Sequence, residues 1–100
     1  MDKISFNFNN KTAVITGGAQ GFGLDIAKRF LNSGAKVIIW DIDPEMIDKA
    51  IKDLNSPNIS SKIVDVSNFE DVQKSADEII KNDNIDILIN NAGITGPTAN

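Results

Sequence analysis

The chain has 100 residues, of which 41% are hydrophobic and 24% are charged, a composition typical of one globular domain with a modest core. Its net charge is −4 and no Lys/Arg cluster stands out, which argues against a nucleic-acid partner and against an anionic membrane surface. The absence of cysteine excludes disulfides and thiolate sites and fits a reducing cytoplasm, and the absence of histidine excludes His-ligated metals and a His-based catalytic triad.

The first predicted elements are a strand over 11–16 and a helix over 22–32, with a glycine-rich run at 16–23 that joins them. Glycines let the backbone turn tightly and approach a ligand, and a helix N-terminus presents free N–H groups and a partial positive charge. The run therefore predicts a phosphate cradle, although such a turn also occurs with no ligand. Apolar residues at four-residue spacing predict a buried stripe on the helix: Phe22, Ile26 and Phe30.

A second strand is predicted over 35–40, and Gly34 before it is a natural residue to end the first helix. A second helix should begin at Pro44, with Asp43 as its N-cap. A third, weaker strand is predicted over 59–64. The first three strands are thus separated by helices of similar length.

Ser67 and Glu70 have the spacing of a capping box, which predicts that Ser67 is the N-cap of a third helix. A fourth strand is predicted over 85–90, and the last ten residues are predicted to form a loop. The third helix is expected to bury five apolar side chains: Phe69, Val72, Ala76, Ile79 and Ile80.

The alternation of strands and helices predicts an α/β fold with a doubly wound parallel sheet, because strands joined by helices pair in parallel through right-handed crossovers. The expected strand order is 3-2-1-4, and ligands bind outside the carboxyl ends of the strands at the switch point between strands one and four. The glycine-rich runs at 16–23 and 90–93 both follow strands that flank this point.

Four motifs follow successive strands: TGGAQGFG at 16–23, the acidic Asp41, the pair at 65–66, and NNAG at 90–93. In this order and spacing they resemble the short-chain dehydrogenase/reductase family over nearly the whole chain. The resemblance implies a Rossmann-type fold, a nicotinamide cofactor, and hydride transfer between that cofactor and an alcohol or carbonyl substrate. Phe22 departs from the family, which usually has Ile or Leu there.

The resemblance also assigns cofactor contacts. Backbone N–H groups of the glycine-rich run would face the pyrophosphate, an acid after strand two would meet the adenosine ribose, the pair after strand three would hold adenine, and NNAG would line the ribose. Asn90 would tie the central strands together. The implied positions are Gly17, Gln20, Gly21, Phe22 and Gly23, then Asp41 and Ile42, then Asp65 and Val66, and finally Asn91, Ala92 and Gly93.

Asp41 lies 18 residues after Gly23, close to the offset of about 20 at which an acid meets the ribose. A carboxylate there accepts hydrogen bonds from the ribose hydroxyls and repels a 2′-phosphate, and Gln20 and Ile42 supply no compensating positive charge. The sequence therefore predicts NAD in preference to NADP. The alternatives are that Asp41 is a solvated loop acid and that Asp65 caps the third helix. Because Ser67 is the better cap, Asp65 is expected to be free for adenine.

The family's catalytic Ser and Tyr-x-x-x-Lys pair have no counterpart, and the chain contains no tyrosine. Residues 1–100 are therefore predicted to be the N-terminal part of a dinucleotide-binding domain, with the catalytic part absent and with no metal. The parent enzyme is expected to be cytoplasmic, to form a homodimer or homotetramer, and to act on a small molecule of the sugar-alcohol or 3-oxoacyl class. The alternative is a stand-alone or remnant nucleotide-binding module without catalysis.

Overall fold

The computed structural model describes residues 7–91. Four parallel strands form one sheet in the order β3-β2-β1-β4, which confirms the predicted α/β fold and strand order. Helices connect successive strands throughout the described residues. The elements in chain order are β1 (Thr12–Thr16), α1 (Gly21–Asn32), β2 (Lys36–Asp41), α2 (Pro44–Leu54), β3 (Ile59–Ile63), α3 (Phe69–Ile80) and β4 (Ile87–Asn90).

One face of the sheet packs against α1 and α2. Ile15 of β1 and Ile39 of β2 are fully buried there, and they share a core cluster with Ala27 of α1 and Ala50 of α2. Small alanines on the helices let the backbone approach the large β-branched side chains of the strands. This layer holds the start of α1 against the carboxyl end of β1.

The opposite face packs against α3. Its core consists of Val14, Trp40 and Val64, and α3 contributes Val72 and Ala76 against it. Trp40 is the only tryptophan of the chain and is almost fully buried. The large indole fills the space between the end of β2 and the helix.

Two of the three predicted helix ends are confirmed. Asp43 is the N-cap of α2, and its Oδ1 accepts hydrogen bonds from the backbone N–H groups of Glu45 (3.0 Å) and Met46 (3.2 Å). Pro44 follows at the first helical position, where a missing N–H costs nothing. Gly34 follows α1 with a φ of 93°, the left-handed conformation that commonly ends a helix.

The predicted cap of α3 was wrong. Asn68 is the N-cap, and its Oδ1 accepts from the backbone N–H of Asp71 at 3.1 Å. The Ser67 hydroxyl instead donates to Asp65 Oδ1 at 2.6 Å. Asn is as good a cap as Ser, and the ionised neighbour at position 65 is a stronger acceptor for the hydroxyl than any backbone group is.

The predicted buried stripes were also wrong at their ends. Phe22 is 78% exposed, Phe69 is 76% exposed and Ile80 is 56% exposed. Phe22 and Phe69 lie in the first turns of α1 and α3, and Ile80 ends α3. Helical periodicity gives the angle of a side chain around the helix axis, but it does not tell whether another element lies opposite that turn.

The edge of the sheet opposite the carboxyl ends is held by a polar network. The Thr12 backbone N–H donates to Asp86 Oδ2 at 2.9 Å, and its hydroxyl donates to Asp83 Oδ1 at 3.1 Å. Lys36 Nζ lies 2.7 Å from Asp83 Oδ2 and holds the pKa of that carboxyl below its ordinary value of 3.8.

Within residues 7–91, no helix is long and apolar enough to cross a membrane.

Candidate functional site

The glycine-rich loop leads directly from β1 into α1. Gly21 has a φ of 58°, which an L side chain rarely adopts, so glycine lets the chain turn into the first helical position. Gln20 precedes the helix in an extended conformation and its side chain makes no capping bond. The first turn of α1 also contains no acidic residue. The positive end of the helix is therefore available to an anion.

A close approach of the Gly17 backbone and the Asn91 side chain explains Gly23. A Cβ on Gly23 would overlap the carbonyl oxygen of Gly17 and would lie 2.8 Å from Asn91 Nδ2. Asn91 Nδ2 itself donates to the same Gly17 oxygen at 3.2 Å. The residue after β4 therefore fixes the first residue of the loop, and only glycine at position 23 leaves room for this contact.

The Asp41 carboxylate, only 7% exposed, joins the loops that follow β1 and β2. Its Oδ2 accepts from the Ala19 backbone N–H at 3.2 Å. Its Oδ1 accepts from the backbone N–H groups of Ile42 (2.8 Å) and Asp43 (3.2 Å). A carboxylate offers about four acceptor sites, so one remains for a ligand. Asp41 therefore has fewer acceptor sites for the two ribose hydroxyls than the sequence led us to expect.

A small cavity of about 100 Å³ opens beside Asp41 at the carboxyl ends of β2 and β3. The structure brings together there all four residues that the sequence assigned to the adenosine part of a cofactor. Ile42 and Val66 are exposed apolar side chains, suited to cover a flat ring. The lining residues are Gly17, Trp40, Asp41, Ile42, Val64, Asp65 and Val66.

Asp65 is less free than expected. Its Oδ1 accepts from both the hydroxyl and the backbone N–H of Ser67, at 2.6 and 2.9 Å. These bonds, the side-chain one first, lower the pKa of Asp65 below its ordinary value of 3.8. The carboxylate therefore stays ionised, which strengthens a hydrogen bond from an amino group, but one of its oxygens already has two donors.

The end of β4 is tied to β1 as expected, because the Thr16 hydroxyl donates to Asn90 Oδ1 at 3.2 Å. The predicted contacts of Ala92 and Gly93 lie outside the described residues. Among residues 7–91 no group of His, Cys, Asp and Glu side chains could hold a metal ion.

Sequence reasoning missed two residues of this site. Ala19 supplies the N–H that Asp41 accepts, and nothing in an alanine side chain indicates such a role. Trp40 forms one wall of the cavity, and it also borders a second groove of about 290 Å³ between α3 and β4. Its position immediately before Asp41 is the one signal that could have drawn attention to it.

Comparisons with known proteins agree with this geometry. The short chain dehydrogenase family model matches residues 11–100. A 3-oxoacyl-[acyl-carrier-protein] reductase of Chlamydia trachomatis is 41% identical over 90 residues, which are 86% of this chain and 36% of the relative. The chain thus spans about a third of the length of such relatives.

Two solved structures have the same arrangement of elements. A short chain dehydrogenase from Bacillus anthracis superimposes with a TM-score of 0.78 and 37% identity, over 84% of this chain and 35% of that one. The Pseudomonas aeruginosa protein RhlG, solved as an active-site complex with NADP, gives a TM-score of 0.77 and 28% identity, over 86% of this chain and 36% of that one. Sequence match, strand order and loop geometry lead to one conclusion: this chain belongs to the short-chain dehydrogenase/reductase family of oxidoreductases.

Proposed function

We propose that this chain is the cofactor-binding portion of an NAD-dependent oxidoreductase. The parent enzyme would transfer a hydride between the nicotinamide and an alcohol or carbonyl substrate. The observation that carries the proposal is the position of the uncapped N-terminus of α1 beside the cavity that Asp41, Ile42, Asp65 and Val66 line. An anion site adjoining a mostly apolar cavity with two carboxylates fits a dinucleotide, with phosphates at the helix and adenosine in the cavity.

The proposal assigns partners to the pyrophosphate, to both riboses and to the adenine of the cofactor. Backbone N–H groups of Gln20, Gly21 and Phe22 would hold the pyrophosphate, with Gly17 and Gly23 giving the close approach. Asp41 would accept from one ribose hydroxyl at its remaining acceptor site. Asp65 would accept from the adenine amino group, with Ile42 and Val66 against the ring and Asn91, Ala92 and Gly93 near the second ribose. The bound cofactor would supply the hydride acceptor.

The preference for NAD rests on the charge of Asp41. At about 4 Å and an effective dielectric constant near 20, a carboxylate repels each phosphate charge by about 4 kcal/mol before salt screening. No described Lys or Arg lines the cavity to offset this repulsion. RhlG, by contrast, was solved with NADP.

Titration of the chain with NADH and with NADPH, followed by calorimetry, tests both parts of the proposal. We expect NADH to bind at least about tenfold more tightly, and Asp41→Asn to bring the two affinities closer together. Asp48→Asn is the matched control, because it removes the same charge from an exposed position on α2 and should leave the ratio unchanged. Tighter binding of NADPH would refute the NAD assignment, and the absence of binding of either would refute the dinucleotide site.

Turnover is a separate matter, since the family's catalytic Tyr and Lys have no counterpart and the chain contains no tyrosine. We propose that residues 1–100 form the N-terminal part of a dinucleotide-binding domain, and we expect them to bind cofactor without oxidising or reducing any substrate. A stand-alone or remnant binding module would behave in the same way. A longer reading frame with a Tyr-x-x-x-Lys pair would favour the enzyme, and its absence would favour the module.

The remaining features of the parent are proposals as well. The Chlamydia trachomatis relative is a 3-oxoacyl reductase, which supports the 3-oxoacyl class of substrate, and a similar structure from Brucella melitensis is named a glucose/ribitol dehydrogenase, which supports the sugar-alcohol class. From the family we infer a homodimer or homotetramer. The acidic, cysteine-free composition supports a cytoplasmic protein with no nucleic-acid or membrane partner. Assays of the longer protein with 3-oxoacyl and sugar substrates, and its mass in solution, would test these points.

A further inference from the structure

We propose that Asp41 is a positioning residue for the pyrophosphate: through the Ala19 N–H it holds the glycine-rich loop in its binding conformation before the cofactor arrives. The inference rests on the proposed dinucleotide site and goes beyond contact between Asp41 and the ribose. It assigns one carboxylate to two parts of the cofactor.

The hydrogen bonds around Asp41 carry the proposal. Oδ2 accepts from the backbone N–H of Ala19 at 3.2 Å, and this bond is buried and joins residues 22 positions apart. Oδ1 is itself fixed by the backbone N–H groups of Ile42 and Asp43. The carboxylate therefore cannot rotate towards a ligand without giving up bonds to two different loops. In this orientation it links the loop after β1 to the loop after β2.

The loop depends on such external contacts. Asn91 holds the Gly17 carbonyl at one side of the loop, and Asp41 holds the Ala19 N–H further along. Gly21 then adopts its left-handed conformation at the start of α1. A glycine-rich segment loses much conformational entropy when it is ordered, so contacts that order it in advance remove that cost from ligand binding.

Electrostatics makes the role of Asp41 measurable. A carboxylate near a phosphate site repels the anion, so a substitution that only removed the charge would strengthen phosphate binding. A substitution that also released the loop would weaken phosphate binding. Removal of the charge and release of the loop thus change phosphate affinity in opposite directions. A ligand without a ribose shows these effects free of any contribution from a contact between Asp41 and the sugar.

Inorganic pyrophosphate is such a ligand, and its binding can be followed by NMR through the backbone amide shifts of residues 17–23. The side chain of Asn has only one acceptor oxygen, so in Asp41→Asn it cannot accept both from the N–H of Ala19 and from those of Ile42 and Asp43. We therefore expect pyrophosphate to bind about tenfold more weakly. Asp86→Asn is the control, because it removes the same charge as Asp41→Asn. Asp86 also accepts from a backbone N–H, but that group belongs to Thr12 at the opposite end of β1. This control variant should bind pyrophosphate as the unaltered chain does.

Amide hydrogen exchange without ligand gives a second measurement. We expect the Ala19 amide to exchange at least about tenfold faster in Asp41→Asn, and no change there in Asp86→Asn. Unchanged or tighter pyrophosphate binding by Asp41→Asn, or unchanged exchange at Ala19, would overturn the inference. So would a chain that binds NADH but shows no shifts with pyrophosphate, since a preformed loop must bind the anion alone. If the unaltered chain did not bind NADH at all, the proposed function would be refuted instead.

Discussion

Asn91 donates its side-chain N–H to the carbonyl oxygen of Gly17 at 3.2 Å, a contact between residues 74 positions apart. It joins the residue after β4 to the residue after β1, which are neighbouring strands of the sheet. Gly23 lies against the same carbonyl from the start of α1. The first and last motifs of the chain therefore meet at one oxygen atom.

Asn91→Ala should loosen this junction. It leaves the part-buried Gly17 oxygen without its side-chain donor, so we expect the free energy of unfolding to fall by about 1 kcal/mol and NADH to bind less tightly. Urea denaturation and NADH titration measure the two effects. Asn84→Ala, at an exposed position whose hydrogen bond to Asp83 comes from the backbone N–H, should change neither. An equal loss in both variants would show that the Asn91 contact has no special role.

Gly23→Ala and Gly21→Ala should differ in severity. A methyl group at position 23 would overlap the backbone of Gly17, which cannot move aside as a flexible side chain can. We therefore expect the free energy of unfolding to fall by about 3 kcal/mol and NADH binding to be lost. A methyl group at position 21 meets open space, and the cost of about 1 kcal/mol comes from its positive φ alone. Thermal unfolding of both variants gives the order, and a reversed order would contradict the loop geometry.

Phe22→Ala and Phe30→Ala form a similar pair within α1. Phe22 is largely exposed, so its truncation should change the free energy of unfolding by less than about 0.5 kcal/mol. Phe30 packs against the core, with its ring centroid 5.3 Å from that of Phe8, and its truncation should cost about 2 kcal/mol. Chemical denaturation of the two variants tests this expectation. A large loss in the free energy of unfolding from Phe22→Ala would indicate that Phe22 is buried, as the helical periodicity predicted.

Acid should destabilise the chain through Asp83 and Glu78. Hydrogen bonds from Lys36 and Lys62, respectively, lower the pKa of these carboxyls below the ordinary values of 3.8 and 4.5. Protonation is then harder in the folded chain than in the unfolded one. The stabilisation is complete above the ordinary values and is lost as the pH falls through the lowered ones.

Unfolding measured between pH 6 and pH 2, a range of about four units around these pKa values, tests this expectation. Asp83→Asn should flatten part of the acid-induced fall, and Lys36→Gln should flatten the same part because it removes the other member of the pair. The double variant should add nothing further. Additive effects of the two substitutions would indicate that each residue acts through other partners.

Much of the fold could be predicted from local sequence. Alternating apolar runs and amphipathic segments indicated the seven elements, and Asp43 with Pro44 marked the start of α2, because helix periodicity and N-capping depend on residues only a few positions apart. The parallel order of the strands followed from the right-handed crossovers that helices between parallel strands impose. The four motifs after successive strands indicated the family for the same reason, since each lies within a short stretch of sequence.

What the sequence left open depends on contacts between distant segments. Whether Phe22 and Phe69 are covered depends on what lies opposite the first turns of α1 and α3, and no pattern within either helix contains that information. The bond between Asp41 and Ala19 exists because two neighbouring strands end side by side, which brings a carboxylate and a backbone N–H into contact. The sequence by itself determined the glycine-rich loop and its place after β1. Only the tertiary structure decided which groups hold that loop, because they come from the ends of β2 and β4.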